Sequence, residues 1–148
     1  RFPKGRIFED YAVMYQLMAK ARAVAADAAV LYFRRRHKDS ILYQNTPQHF
    51  YDRLTADSEL IEFARQDEYV YLLPFALQSF WNTFAQTSTL TYLSPDAAHK
   101  QQAKQAQKLL QRYLSLISRH TTFTAAEKRR MYAFAYTPRM AKPAPQQP

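Results

Sequence analysis

SPDAAHKQQAKQAQKLLQRYLSLIS, residues 94–118, opens with a helix start signal and then keeps helical spacing to its end. Ser94 can accept a hydrogen bond from the first turn, and Pro95 stands where a missing N–H is no loss. Asp96 opposes the positive end of the helix dipole. Thereafter Ala103, Ala106, Leu110, Tyr113 and Ile117 recur at steps of three and four, which places them on one stripe. A stripe of that kind has to be buried against other helices, so the stretch predicts helix-on-helix packing.

Downstream, Thr124-Ala-Ala-Glu127 has capping-box spacing and predicts a last helix to about Tyr136. From Thr137 the chain is too rich in proline to continue. Upstream, residues 69–95 carry no charge, and Pro74 should kink or restart a helix there. That stretch is long enough to cross a bilayer. However, Gln78, Ser79, Asn82, Thr83 and Gln86 with the following threonines are too polar for hydrocarbon, and a buried core helix is the better reading. An interfacial or protein-covered membrane segment is its alternative.

Thr46-Pro47 repeats the cap-plus-proline signal and predicts a short helix through about Leu54. A separate helix from Asp57 or Ser58 would then carry an acidic, solvated face. At the N-terminus, Pro3 and Gly5 punctuate an extended arm, residues 1–7, followed by one long helix from about Phe8 to His37. Met14, Leu17, Ala21, Val24, Ala28 and Leu31 would be its packing stripe. The expected architecture is all-α: the long N-terminal helix packed with about four more in one domain, residues 8–136, between an arm, 1–7, and a Pro-rich tail, 137–148.

The composition narrows the chemistry. One glycine, Gly5, leaves no phosphate-cradling or dinucleotide-binding loop, and the absence of cysteine removes disulfides, thiolate metal sites and nucleophilic thiols. His37, His49, His99 and His120 are scattered without a second histidine at helical spacing, so neither a metal nor a cofactor is implied. No serine lies in a nucleophile-elbow motif, and no catalytic residues are assigned.

The formal charge of +9 is polarised. Residues 51–68 are acidic, whereas 1–50 and 97–148 are basic. Three basic groups are candidate contacts for anionic lipid or RNA. Lys100, Lys104, Lys108 and Arg112 recur every four residues, with about 6 Å of rise between members, near the spacing of successive phosphates. Gln101, Gln105 and Gln111 interleave with them. Arg34, Arg35, Arg36 and Lys38 would close the long helix, where the dipole favours cations. Lys128, Arg129 and Arg130 precede Tyr132, Phe134 and Tyr136, a basic–aromatic mix that suits RNA stacking, a membrane interface or a plain buried helix face.

Aromatic residues form 15% of the chain, more than one core of this size consumes, and such an excess is typical of interfaces. With its basic arms and a start at Arg1 compatible with a removed leader, the chain reads as a non-catalytic accessory subunit of a large assembly inside the cell. A mitochondrial inner-membrane complex, a respiratory complex or ATP synthase, is the expected setting, with other protein subunits and anionic lipid as partners. An RNA-contacting protein of a ribosome-like particle is the alternative, and a small helical-bundle enzyme the second one.

Overall fold

The computed structural model describes residues 2–30, 32–33, 46–92 and 97–136, except the side chains of 47, 87–92 and 97–99. Its helices are α1 (Tyr11–Lys20), α2 (Pro47–Ala64), α3 (Leu73–Tyr92), α4 (Ala97–Arg119) and α5 (Ala125–Tyr136). A 3-10 segment, Asp67–Leu72, joins α2 to α3. There is no strand among the described residues, so the all-α expectation holds.

α4 behaves as its spacing demands. Ala106, Leu110, Tyr113 and Ile117 are buried, and the stripe packs against α2, α3 and α5. The uncharged stretch supplies the central wall. Ala76, Leu77, Phe80, Trp81 and Phe84 of α3 are all buried, and this is a core helix. Its rings meet those of α4 and α5 edge to face. Phe80 lies 5.3 Å from Tyr113 at 78°, and Phe84 lies 5.8 Å from Phe134 at 81°, both geometries that aromatic quadrupoles favour. Pro74 sits at the second position of α3, where a missing N–H is harmless, and so restarts the helix after the 3-10 segment.

Helix ends are closed by side chains. Thr46 Oγ1 accepts from the His49 N–H at 3.2 Å, and Pro47 follows it. At α5, Thr124 Oγ1 accepts from the Glu127 N–H at 3.2 Å while Glu127 Oε2 accepts from the Thr124 N–H at 2.8 Å, completing the capping box. Those bonds hold the Glu127 carboxyl below its ordinary pKa. The far end of α5 is closed from a neighbour: Gln107 and Gln111 of α4 both donate to the Ala135 carbonyl, at 2.8 and 2.7 Å.

Two expectations are corrected. The expected break between Leu54 and Asp57 does not occur, and α2 is one helix of 18 residues. Thr55 and Ser58, which resemble cap residues, turn their hydroxyls back onto the carbonyls of Tyr51 and Thr55 within the same helix. The long N-terminal helix expected from about Phe8 to His37 is not formed either: α1 has 10 residues, and the chain leaves it in an extended conformation at Ala21. Residues 21–30 are non-helical and exposed throughout. A helix gains most of its stability from packing, and nothing among the described residues packs on this segment. The face of α1 that is used carries Tyr11, Ala12 and Tyr15, not the Met14–Leu17 stripe. Leu31, the tail 137–148 and the Ser94-Pro95-Asp96 start signal lie outside the described residues, as do Arg34, Arg35, Arg36 and Lys38.

The capping box yields a direct test. Thr124→Ala should lower unfolding stability by about 1 kcal/mol, read as a lower urea midpoint at unchanged slope.

Candidate functional site

The carboxylates of α2 were expected on a solvated face, yet Asp57 is 0% exposed and Asp52 6%. Asp57 is the polar centre of the fold. Its Oδ1 accepts from the Tyr11 hydroxyl of α1 at 2.9 Å and from Ser79 of α3 at 2.7 Å, and its Oδ2 accepts from Thr83 of α3 at 2.6 Å. The Arg53 Nε lies 3.7 Å from Oδ2, an ion pair longer than a hydrogen bond. Burying a carboxylate is tolerable only with such compensation. Burial also raises the Tyr11 pKa, partly offset by its hydrogen bond with Ser79.

Asp52 anchors the N-terminal arm. It accepts from the Ile7 N–H at 3.1 Å and from Gln48 at 2.7 Å, while Arg6 grips Glu59 with both terminal nitrogens, at 2.7 and 2.5 Å. That grip raises the Arg6 pKa. Between the arm and α1 the chain reverses through Phe8, a non-glycine residue with φ +64°. Such a backbone is unfavourable for a residue with a Cβ, and it persists here because the Phe8 ring is held 5.1 Å from His49 and under the Arg53 guanidinium at 5.4 Å.

This junction borders a cleft of about 410 Å³, lined by Phe8, His49, Arg53, Ser79, Asn82 and Gln86 among others. The Arg53 guanidinium lies 3.6 Å over the Tyr11 ring, and its Nε is buried without a hydrogen bond. The cleft thus offers a stacked cation, an imidazole and two amides. Ser79 and Thr83 donate their protons to Asp57, and a carboxylate alone is a poor base for activating a hydroxyl. The chemistry on offer is binding of a small polar or anionic group. Among the described residues no cluster of histidine and carboxylate groups is placed to hold a metal ion.

A second cleft, about 460 Å³, lies between α1, α2 and α4 and is lined by Tyr15, Glu59, Glu62, Arg112 and Tyr113 among others. Glu62 Oε1 accepts from Tyr113 at 2.9 Å and pairs with Arg112 at 2.9 Å. Burial, with the Glu62 hydrogen bond second, pushes the Tyr113 pKa up to about 12.

The basic candidates divide accordingly. Lys100, Lys104 and Lys108 are exposed on α4 and make no ion pair among the described residues. Arg112 departs from their row in function because Glu62 holds it, although it stays largely exposed. Arg129 and Arg130 are exposed on α5, and Lys128 is half-buried. Gln111 is committed to the end of α5 rather than to a ligand.

The Asp57 centre was missed in the sequence, although a signal for it exists. Ser79 and Thr83 stand four apart on a helix otherwise destined for the core, and paired hydroxyls at that spacing need a buried acceptor.

The most exposed feature is apolar. On α1, Met14, Leu17 and Met18 are 46, 55 and 54% exposed, and Val24, Val30, Tyr32 and Phe33 beyond it are 67 to 85% exposed. In comparisons with protein families, curated proteins and solved structures, the chain matches none.

Two measurements check the electrostatics. Asp57→Ala should lower stability by about 3–5 kcal/mol, the range for breaking a buried pair, with Asp57→Asn losing less, by urea unfolding at pH 7. Tyr113 has a folded pKa above its ordinary 10.0, so its contribution is complete below pH 10 and is lost as pH rises toward about 12. Unfolding midpoints compared at pH 9 and pH 11.5 should therefore fall less in Tyr113→Phe than in the parent.

Proposed function

We propose that this chain is a non-catalytic helical subunit of a larger assembly, joined to it through residues 14–33. The observation that carries this reading is the run of exposed apolar side chains from Met14 to Phe33. Single exposed apolar residues are ordinary, but seven large ones within 20 residues, Met14, Leu17, Met18, Val24, Val30, Tyr32 and Phe33, mark an interaction surface. The core is closed without this run: Leu54, Ile61, Leu77, Phe80, Leu110 and Met131 are fully buried among α2 to α5. Its apolar side chains are therefore surplus to the fold. An inner-membrane complex is the setting we propose, on the strength of the cationic rows. No helix among the described residues is long and apolar enough to cross a membrane, so contact with lipid would be made at headgroups by residues such as Lys100, Lys104 and Lys108.

A second reading, a small ligand-binding or catalytic bundle, is favoured by the stacked Arg53 at the 410 Å³ cleft. The two readings differ in what they need from the surface. A subunit depends on Met14 to Phe33, whereas a ligand-binding bundle depends on Arg53.

Purification of the tagged chain from its native source in mild detergent, with and without nuclease, separates them. The expected result is migration with other subunits in a large, nuclease-resistant species, lost on Leu17→Asp with Val24→Asp. Release by nuclease would place the lysine row on RNA instead, and a small free species would overturn the subunit reading.

A further inference from the structure

The spacing within the exposed N-terminal segment carries more than its hydrophobicity. Met14, Leu17, Ala21, Val24 and Ala28 are separated by three, four, three and four residues, the strict alternation of a coiled-coil seam. At about 100° per residue this seam lies on the side of the helix opposite Tyr11, Ala12 and Tyr15, the face that packs on the core. The two faces do not compete. α1 can stay seated on α2 while its outer side accepts another helix.

We infer that the partner of this surface is a second copy of the same chain, paired antiparallel, with α1 extended in helical form through residues 21–28. This deepens the subunit reading above and rests on it for the claim that the segment is a contact surface. Size and charge both select the self-pairing. One position of the seam repeat is filled by Met14, Ala21 and Ala28, the other by Leu17 and Val24, so from residue 17 onward the first is small and the second large. Running antiparallel, Leu17 meets Ala28 of the partner subunit and Val24 meets Ala21 of the partner subunit, and the same pairs recur by symmetry. Each described layer from 17 to 28 then sets a large side chain against a small one, which lets the helices approach closely without voids.

The flanking charges fit the same register. Lys20 and Asp27 occupy equivalent positions beside the seam, seven residues apart. In the antiparallel pair Lys20 faces Asp27 of the partner subunit, twice over. A parallel pair would instead oppose alanine to alanine and set Lys20 beside an alanine. Residues 21–28 include three alanines, Ala23, Ala25 and Ala26, besides the two on the seam, and alanine is the best helix former, so little beyond a partner is needed to order them. Their extended, exposed state in the isolated chain is the unpaired form. Folding is thereby coupled to association, which makes the pair weak and concentration-dependent.

Sedimentation of the purified full chain from about 1 to 500 μM, with helicity followed by circular dichroism over the same range, tests this. The mass should rise from 17.4 kDa toward twice that value, and helicity should rise with it. Leu17→Asp with Val24→Asp should abolish both changes while leaving the thermal midpoint of the dilute protein in place, because neither side chain touches the core. Lys20→Asp should weaken pairing at least tenfold, and Lys20→Asp with Asp27→Lys should restore it. A constant 17.4 kDa at every concentration overturns self-pairing, and a dimer indifferent to the charge exchange overturns the antiparallel register. If the parent stays monomeric but Leu17→Asp with Val24→Asp still removes the chain from its native complex, self-pairing falls and the subunit reading stands. If the parent dimerises but no larger native species exists, the reverse holds.

Discussion

Asp57 is the point through which three helices are tied, and most of the polar architecture follows from the need to keep it satisfied. A carboxylate with no solvent exposure must find donors in the protein, and here they come from α1 and α3, with the Arg53 cation of its own helix nearby. This explains why α3, a core helix, carries Ser79 and Thr83 toward α2. It also explains why α1 presents tyrosines inward: the Tyr11 ring supports the Arg53 guanidinium while its hydroxyl reaches Asp57. The arm is drawn in by the neighbouring Asp52, and the unfavourable backbone at Phe8 is the local consequence of bringing arm, cleft and α1 together.

Around that centre the apolar core is ordinary, and the surface is not. Aromatic rings from α3, α4 and α5 interlock, and α4 sets its buried stripe against the other helices. The acidic side chains of α2 are largely consumed within the fold, by Arg6, Arg53, Arg65 and Arg112. The exposed lysines of α4 thus stand without internal neutralisation among the described residues. A basic, partly apolar surface left over after the fold has satisfied itself is the physical basis of our proposal that the chain is a component of something larger.

What could be read from the sequence and what could not divide along one line. Signals that act within a single helix were legible: the stripe of α4, the Thr124–Glu127 box, the Thr46-Pro47 start and the restart at Pro74. Signals whose meaning depends on another helix were not. Asp57 stands in Thr55-Ala56-Asp57-Ser58, so it resembles a cap, and only the hydroxyls of α3 and α1 reveal it as buried. The Met14–Leu17 stripe has helical spacing that is real, but spacing does not say which of two apolar faces a core will take. Tyr11 and Tyr15 take that face, Tyr11 by bringing its hydroxyl to Asp57 and Tyr15 by setting its ring 5.1 Å from that of Phe63. Gln111, interleaved with the basic row, was illegible for the same reason, since its acceptor lies on α5.

The glutamines that close α5 also bear on how the molecule comes apart. A chain with a single glycine has little of the usual means of ending a helix locally, in which glycine turns left-handed and its own backbone satisfies the last carbonyls. Here that task falls to a neighbouring helix, through Gln107 and Gln111. The Ala135 carbonyl therefore keeps these two hydrogen bonds only while α4 is docked, and here secondary structure leans on tertiary structure. Such a chain has few stable parts smaller than the whole: it is built to melt in one step, and a proteolytic fragment holding α5 alone would fray from the end that α4 used to hold.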